Sequence, residues 1–98
     1  MRTEETIFKE HAQIWKEETK YSSITTRVIE HPSYQAIINM GVQAVPYILK
    51  EIQNGEVDYD WHYALVKLTS EDPVVAGRDT LAQINNDWLE WGKKKGLI

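Results

Sequence analysis

Residues 41–54, Gly-Val-Gln-Ala-Val-Pro-Tyr-Ile-Leu-Lys-Glu-Ile-Gln-Asn, decide the fold. A helix over about 43–54 puts Pro46 in its first turns, where the missing amide is tolerated, and spaces Tyr47, Ile48, Leu49 and Ile52 as an apolar stripe. It stops at Asn54-Gly55. Just upstream, Pro32 keeps His31 out of the helical region and opens a helix of about 33–40 whose apolar residues are Tyr34, Ile37, Ile38 and Met40. Gly41 ends that helix as a left-handed cap. Two helices joined only by a glycine are expected to fold back on each other as a tight pair.

Outward from this pair, the first helix is predicted over 4–19, with Thr3 as N-cap and Glu4 and Glu5 at the positive end of the dipole. Its expected inner stripe is Ile7, Phe8, His11, Ile14, Trp15 and Thr19. Residues 20–32 combine β-branched Ile24, Thr25, Thr26, Val28 and Ile29 with Ser22-Ser23, which suits capping. A lone strand there would have nothing to pair with, so a short helical turn or an irregular crossing is expected. Asp60 is the expected N-cap of a helix over 61–69, and Asp79 that of a helix over 80–95 with Leu81, Ile84, Trp88 and Trp91 on one face. Lys93, Lys94 and Lys95 fill the last turn before Gly96. No segment alternates as a strand. The expected product is a single all-α domain spanning 1–98, of four to five helices, either a short α-solenoid fragment or a helical bundle.

Composition bounds the function. Ninety-eight residues build one core, and 42% apolar residues with four Trp, five Tyr and one Phe exclude a disordered chain. No window approaches the roughly 18–20 apolar residues of a membrane span, and the acidic start MRTEETIFKE is unlike a secretory signal, so a cytoplasmic protein is expected. The absence of cysteine excludes disulfides, thiol nucleophiles and thiolate zinc sites. The net charge of −4 argues against nucleic acid.

The run Met40 through Ile52, followed by Trp61 through Leu68, resembles a HEAT-type helical repeat, in which a glycine ends one helix and Ala-Val-Pro opens the next. A wider set of residues is similar to a family of small uncharacterised bacterial proteins with a HEAT-repeat-like core. The set comprises Ser22-Ser23, His31-Pro32-Ser33-Tyr34-Gln35 with Ile37-Ile38 and Met40-Gly41, Ala44-Val45-Pro46, Trp61 with Ala64-Leu65, Asp72-Pro73-Val74, Gly77 and Trp88-Leu89-Glu90-Trp91-Gly92. That resemblance implies a helical fold and carries no catalytic residues. Where its pattern would place Thr-Gly, this chain has Thr69-Ser70.

The three histidines, at 11, 31 and 62, lie on separate expected elements without ligand spacing, so no metal and no cofactor is expected. His31 is expected to hydrogen-bond near the Pro32 turn. Paired acids such as Asp58/Asp60 and Glu71/Asp72 suit acid–base work, and equally suit solvated caps. Trp61, Trp88 and Trp91 read as core or as a base-stacking platform. An enzyme would need Tyr34, Gln35, His31 and Glu90 to converge on one pocket.

The segment Glu56-Val57-Asp58-Tyr59-Asp60-Trp61-His62-Tyr63 interleaves acids with aromatics. Residues 51–72 hold six acids (Glu51, Glu56, Asp58, Asp60, Glu71, Asp72) and one base, Lys67, a local charge of −5 that leaves +1 for the remainder. Aromatic residues serve as binding hot spots, and acids beside them steer a basic partner. The expected function is therefore a non-enzymatic protein-interaction module, with Glu56, Asp58, Tyr59, Asp60, His62 and Tyr63 as partner-binding residues. It would mask a basic toxin or nucleic-acid enzyme in the manner of an antitoxin or immunity protein. The alternatives are a solvated loop with no partner and a nucleic-acid-associated accessory protein using Lys93–Lys95. An apolar end left uncovered by so short a stack makes a homodimer an alternative to a monomer.

Overall fold

The computed structural model describes residues 3–19, 25–54 and 60–98, with the side chains of Thr25 and Thr26 left aside. Its helices are α1 (Glu4–Thr19), α2 (Thr25–Ile29), α3 (Pro32–Asn39), α4 (Val45–Gln53), α5 (His62–Thr69) and α6 (Leu81–Lys94), with a 3₁₀ turn over Gly41–Ala44. No strand occurs among the described residues, so the fold is all-α. No helix among them is long and apolar enough to cross a membrane.

Local chemistry explains most of the boundaries. Thr3 caps α1 by accepting the Thr6 amide at 3.1 Å. His31 caps α3 through its ring: Nδ1 accepts the Ser33 amide at 3.1 Å, and Pro32 occupies the first helical position. The stretch over 20–32 resolves, in its described part, into the one-turn α2, which Trp15 ties to α1 by donating Nε1 to the Val28 carbonyl at 2.9 Å. Ser22-Ser23 lies outside the described residues. α6 ends in a Schellman motif, with Gly96 at φ +75° and the Leu97 amide donating to the Gly92 carbonyl at 2.9 Å.

Several expectations need correction. Gly41 does adopt φ +81°, yet the chain then passes through the 3₁₀ turn, so α4 begins at Val45 rather than near 43. That detour separates the expected pair: α3 lies mainly on α1 and α4 mainly on α6, with α5 between them touching α3, α4 and α6. The inner face of α1 is Phe8, Ala12, Trp15 and Thr19, while Ile14 is 43% exposed. α6 likewise turns Asn85, Trp88 and Gly92 inward and leaves Leu81, Ile84 and Trp91 half-buried. Its N-cap is Thr80, not Asp79, because Gln83 completes a reciprocal capping box: the Gln83 amide donates to Thr80 Oγ1, and the Thr80 amide to Gln83 Oε1, both at 3.2 Å.

One continuous core results. Trp15, Trp61, Trp88 and Tyr34 are fully buried, with Trp15 stacked on Tyr34 at 4.9 Å between ring centroids and 4.6 Å from Trp61. Three of the four tryptophans are thus core, and only Trp91 reaches the surface. α6 crosses α4 at Gly92, where a Cβ would lie 2.8 Å from Leu49 Cδ1 and 3.3 Å from Ile98. Any larger residue there would have to push the Leu49 side chain aside.

Candidate functional site

The described part of the acidic and aromatic segment, residues 60–63, leads into the start of α5. That helix start has no side-chain cap: Trp61 occupies the cap position with φ −88° and ψ −7°, so the expected capping role of Asp60 is not found. The buried Tyr34 hydroxyl does the work instead. It donates to the Asp60 carbonyl at 2.8 Å and accepts the Ala64 amide at 3.0 Å, satisfying a helix-end donor from 30 residues away. Burial pushes the Tyr34 phenol well above the usual tyrosine range, outweighing the Ala64 amide, which favours the phenolate.

The three described candidate residues of the segment, Asp60, His62 and Tyr63, face different neighbours. His62 accepts a hydrogen bond from buried Trp88 Nε1 at Nδ1, at 3.0 Å, which fixes its tautomer and leaves Nε2 4.0 Å from Asp72 Oδ2. Tyr63 lies beside Tyr34 at 6.4 Å, with Lys67 Nζ 5.6 Å from its ring centroid one turn on. Asp60 is half-buried, and no base faces its carboxylate among the described residues. Glu56, Asp58 and Tyr59 lie outside the described residues.

The other acids of 51–72 have partners. Glu51 meets Lys16 at 2.7 Å, joining α4 to α1. Glu71 accepts from Trp91 Nε1 at 3.3 Å and lies 3.6 Å from Lys95. Asp72 takes the Val74 amide at 3.1 Å to close the turn around Pro73. Of the terminal lysines, Lys93 lies 3.7 Å from Glu90, and Lys95 belongs to Glu71.

Residue types associated with catalysis do meet where α1 crosses α3. Ser33 Oγ is 3.4 Å from His11 Nδ1, and His31 Nε2 is 2.8 Å from Glu18 Oε1. Yet His31 spends its Nδ1 on the Ser33 amide, and Ser33 is only 7% exposed, so the cluster fastens a helix start. Tyr34, Gln35, His31 and Glu90 do not converge: Gln35 donates to the Ile29 carbonyl at 2.7 Å, and Glu90 sits near the far end of α6. No group of three metal-ligating side chains forms among the described residues.

Two features escaped the sequence reading. Asp87 accepts Arg78 through Nε at Oδ2 and Nη2 at Oδ1, both at 2.9 Å, and also takes the Val75 amide at 3.1 Å. This latch pins the loop between α5 and α6, and the Arg78 hydrogen bonds, aided by the Val75 amide, hold the Asp87 carboxyl below the usual carboxylate range. No periodicity marks such a pair, nine residues apart across a helix start.

The second is a groove of about 340 Å³ where the 3₁₀ turn, α4, α5 and the end of α6 meet. Val42, Val45, Pro46, Leu68, Trp91 and Leu97 form its apolar walls, and Thr69 and Glu71 its polar edge. No sequence sign points to it, since helical spacing puts Trp91 on the same face as the buried Trp88. Compared with known proteins, the chain matches no protein-family model, no curated protein and no solved structure.

Proposed function

We propose that this chain is a non-enzymatic protein-interaction module that receives a basic partner at the start of α5, masking that partner as an antitoxin or immunity protein does. One observation carries the reading: of the four described acids in 51–72, only Asp60 has no cation, ring nitrogen or amide beside its carboxylate among the described residues. The pairing of Glu51 and Glu71 with lysines shifts the uncompensated charge toward Asp60, which Glu56 and Asp58 precede in sequence. Aromatic Tyr63 lies in the first turn of the helix, next to Tyr34. An acidic edge beside a tyrosine suits a surface rich in Arg and Lys, speeding encounter and fixing register.

The test is affinity capture with the tagged chain, followed by mass spectrometry, comparing wild type with Asp58→Lys plus Asp60→Lys. The expected result is a strongly basic protein captured by wild type, released by added salt and lost with the double variant. Capture of the same proteins by both forms contradicts the assignment.

A further inference from the structure

The three histidines differ in what a second ring proton would do to them. His11 Nδ1 lies 3.4 Å from the Ser33 hydroxyl, a group that can donate to a neutral ring or accept from a charged one. His31 Nε2 lies 2.8 Å from Glu18 Oε1, so the proton that takes Nδ1 away from the Ser33 amide also turns the Glu18 contact into a charge-assisted bond. His62 has no such compensation. Its Nδ1 accepts the Trp88 indole N–H at 3.0 Å, and its Nε2 stands 4.0 Å from Asp72 Oδ2, beyond hydrogen-bond reach.

Trp88 is 0% exposed, and an indole nitrogen can only donate. A proton on His62 Nδ1 therefore sets two donors against each other and leaves a buried N–H with neither acceptor nor water. The surrounding charges do not offset that loss. Asp72, on the loop after α5, is well exposed and already takes the Val74 amide, and its neighbour Glu71 is paired with Lys95. On α6, Asp87 precedes Trp88 and is neutralised by Arg78. Asp60, two residues ahead, makes no ion pair with the His62 ring. His62 is also the first residue of α5, the end of the helix dipole that disfavours a cation.

The start of α5 is thus held from two sides. From α3, the Tyr34 hydroxyl bonds the Asp60 carbonyl and the Ala64 amide; from α6, the Trp88 indole bonds His62. The Tyr34 phenol keeps its proton throughout the range in which histidines titrate, so acid reaches only the second attachment. The geometry points to His62 as a proton-operated latch between α5 and α6, closed on Trp88 when the ring is neutral and open when it is charged, with α5 still fastened to α3. The ring is partly exposed, which gives the proton its route.

Nuclear magnetic resonance of the isotope-labelled chain, titrated from about pH 8 to about pH 5, tests this with no partner present, so its failure would leave the Asp60 reading untouched. The Trp88 indole N–H resonance is expected to move along the same curve as the His62 ring, and the Overhauser contact between the two rings to disappear. The contact between Tyr34 and Ala64 should persist, as should the resonance of the Trp15 indole, which donates to the Val28 carbonyl. His62→Asn offers an acceptor oxygen near the Nδ1 position and takes up no proton, so its Trp88 resonance should stay fixed over the same range. A wild-type Trp88 resonance that does not follow His62 overturns the inference, however the variant behaves, and so does a response that survives in His62→Asn. Loss of the Tyr34 to Ala64 contact at the same midpoint also overturns it, because the helix start would then be coming apart as a whole.

Discussion

Replacing Tyr34 by Phe removes one oxygen from a fully buried side chain and isolates the hydrogen bond that starts α5. In the wild type that oxygen accepts the Ala64 amide and donates to the Asp60 carbonyl. Ala64 is 0% exposed, so its N–H has no access to water in the variant, whereas the half-buried Asp60 has a route to solvent. A buried donor left unpaired costs about 1–3 kcal/mol, and a partial loss at Asp60 brings the expected sum to about 2–3 kcal/mol. For a domain of this length each kcal/mol lowers Tm by roughly 4–8 °C, so the melting point should drop by about 8–24 °C. Urea unfolding followed by tryptophan fluorescence and by circular dichroism measures the loss directly, with an unchanged slope if both states keep their compactness. A loss below about 0.5 kcal/mol would refute the argument, since it would mean that the hydroxyl satisfies nothing the fold needs. The same geometry predicts an alkaline effect. The folded phenol ionises above its unfolded value of about 10, so Tyr34 contributes fully below that pH and loses its contribution as the pH rises beyond it. Tyr34→Phe should flatten this alkaline decline.

Ser70 sits at φ 58° as the left-handed cap of α5, a conformation that costs an L-residue about 1–2 kcal/mol, so Ser70→Gly should stabilise the chain by about 0.5–1 kcal/mol after the entropy of glycine is counted. A thermal melt that moves downward contradicts it. Gly92→Ala sets a methyl 2.8 Å from Leu49, and an overpacking cost of about 1–3 kcal/mol should exceed the roughly 1 kcal/mol gained in helix propensity. A higher urea midpoint would show that α4 and α6 do not approach so closely. For Asp87 the folded pKa is depressed, so its stabilising contribution is present above the ordinary carboxylate value and disappears as the pH falls through the folded one. Stability against pH should therefore decline less steeply in Asp87→Asn than in wild type below about pH 4. Parallel acid limbs would contradict the latch.

The features legible in the sequence are those whose cause lies within one helical turn. Thr3, the ring of His31 before Pro32, and Gly96 each cap a helix through neighbours two to five residues away, and each is where the local pattern places it. Most misreadings arise where a distant contact decides. Asp60 loses the capping role because the Tyr34 hydroxyl arrives from α3. The loss of Asp79's role to Thr80 is instead a local misreading, since Thr80 and Gln83 close a capping box three residues apart. The inner face of α1 is set by small Ala12, which lets Trp15 reach α2 and Tyr34, and apolar spacing alone favours the larger Ile14. At the candidate site, clustered acids were visible, but their neutralisation by Lys16 and Lys95 was not, since those ion pairs span 35 and 24 positions. The Thr69-Ser70 pair was visible as well. Its consequence, a serine in a glycine-like backbone, needed the fold.

The central claim is that a basic protein docks at the start of α5. Hydrogen exchange of the chain, alone and with its captured partner, measures this by amide position. The account predicts new protection concentrated over residues 56–63, with little change over 90–95. Protection confined to 90–95, or gained with nucleic acid and no protein, would contradict it.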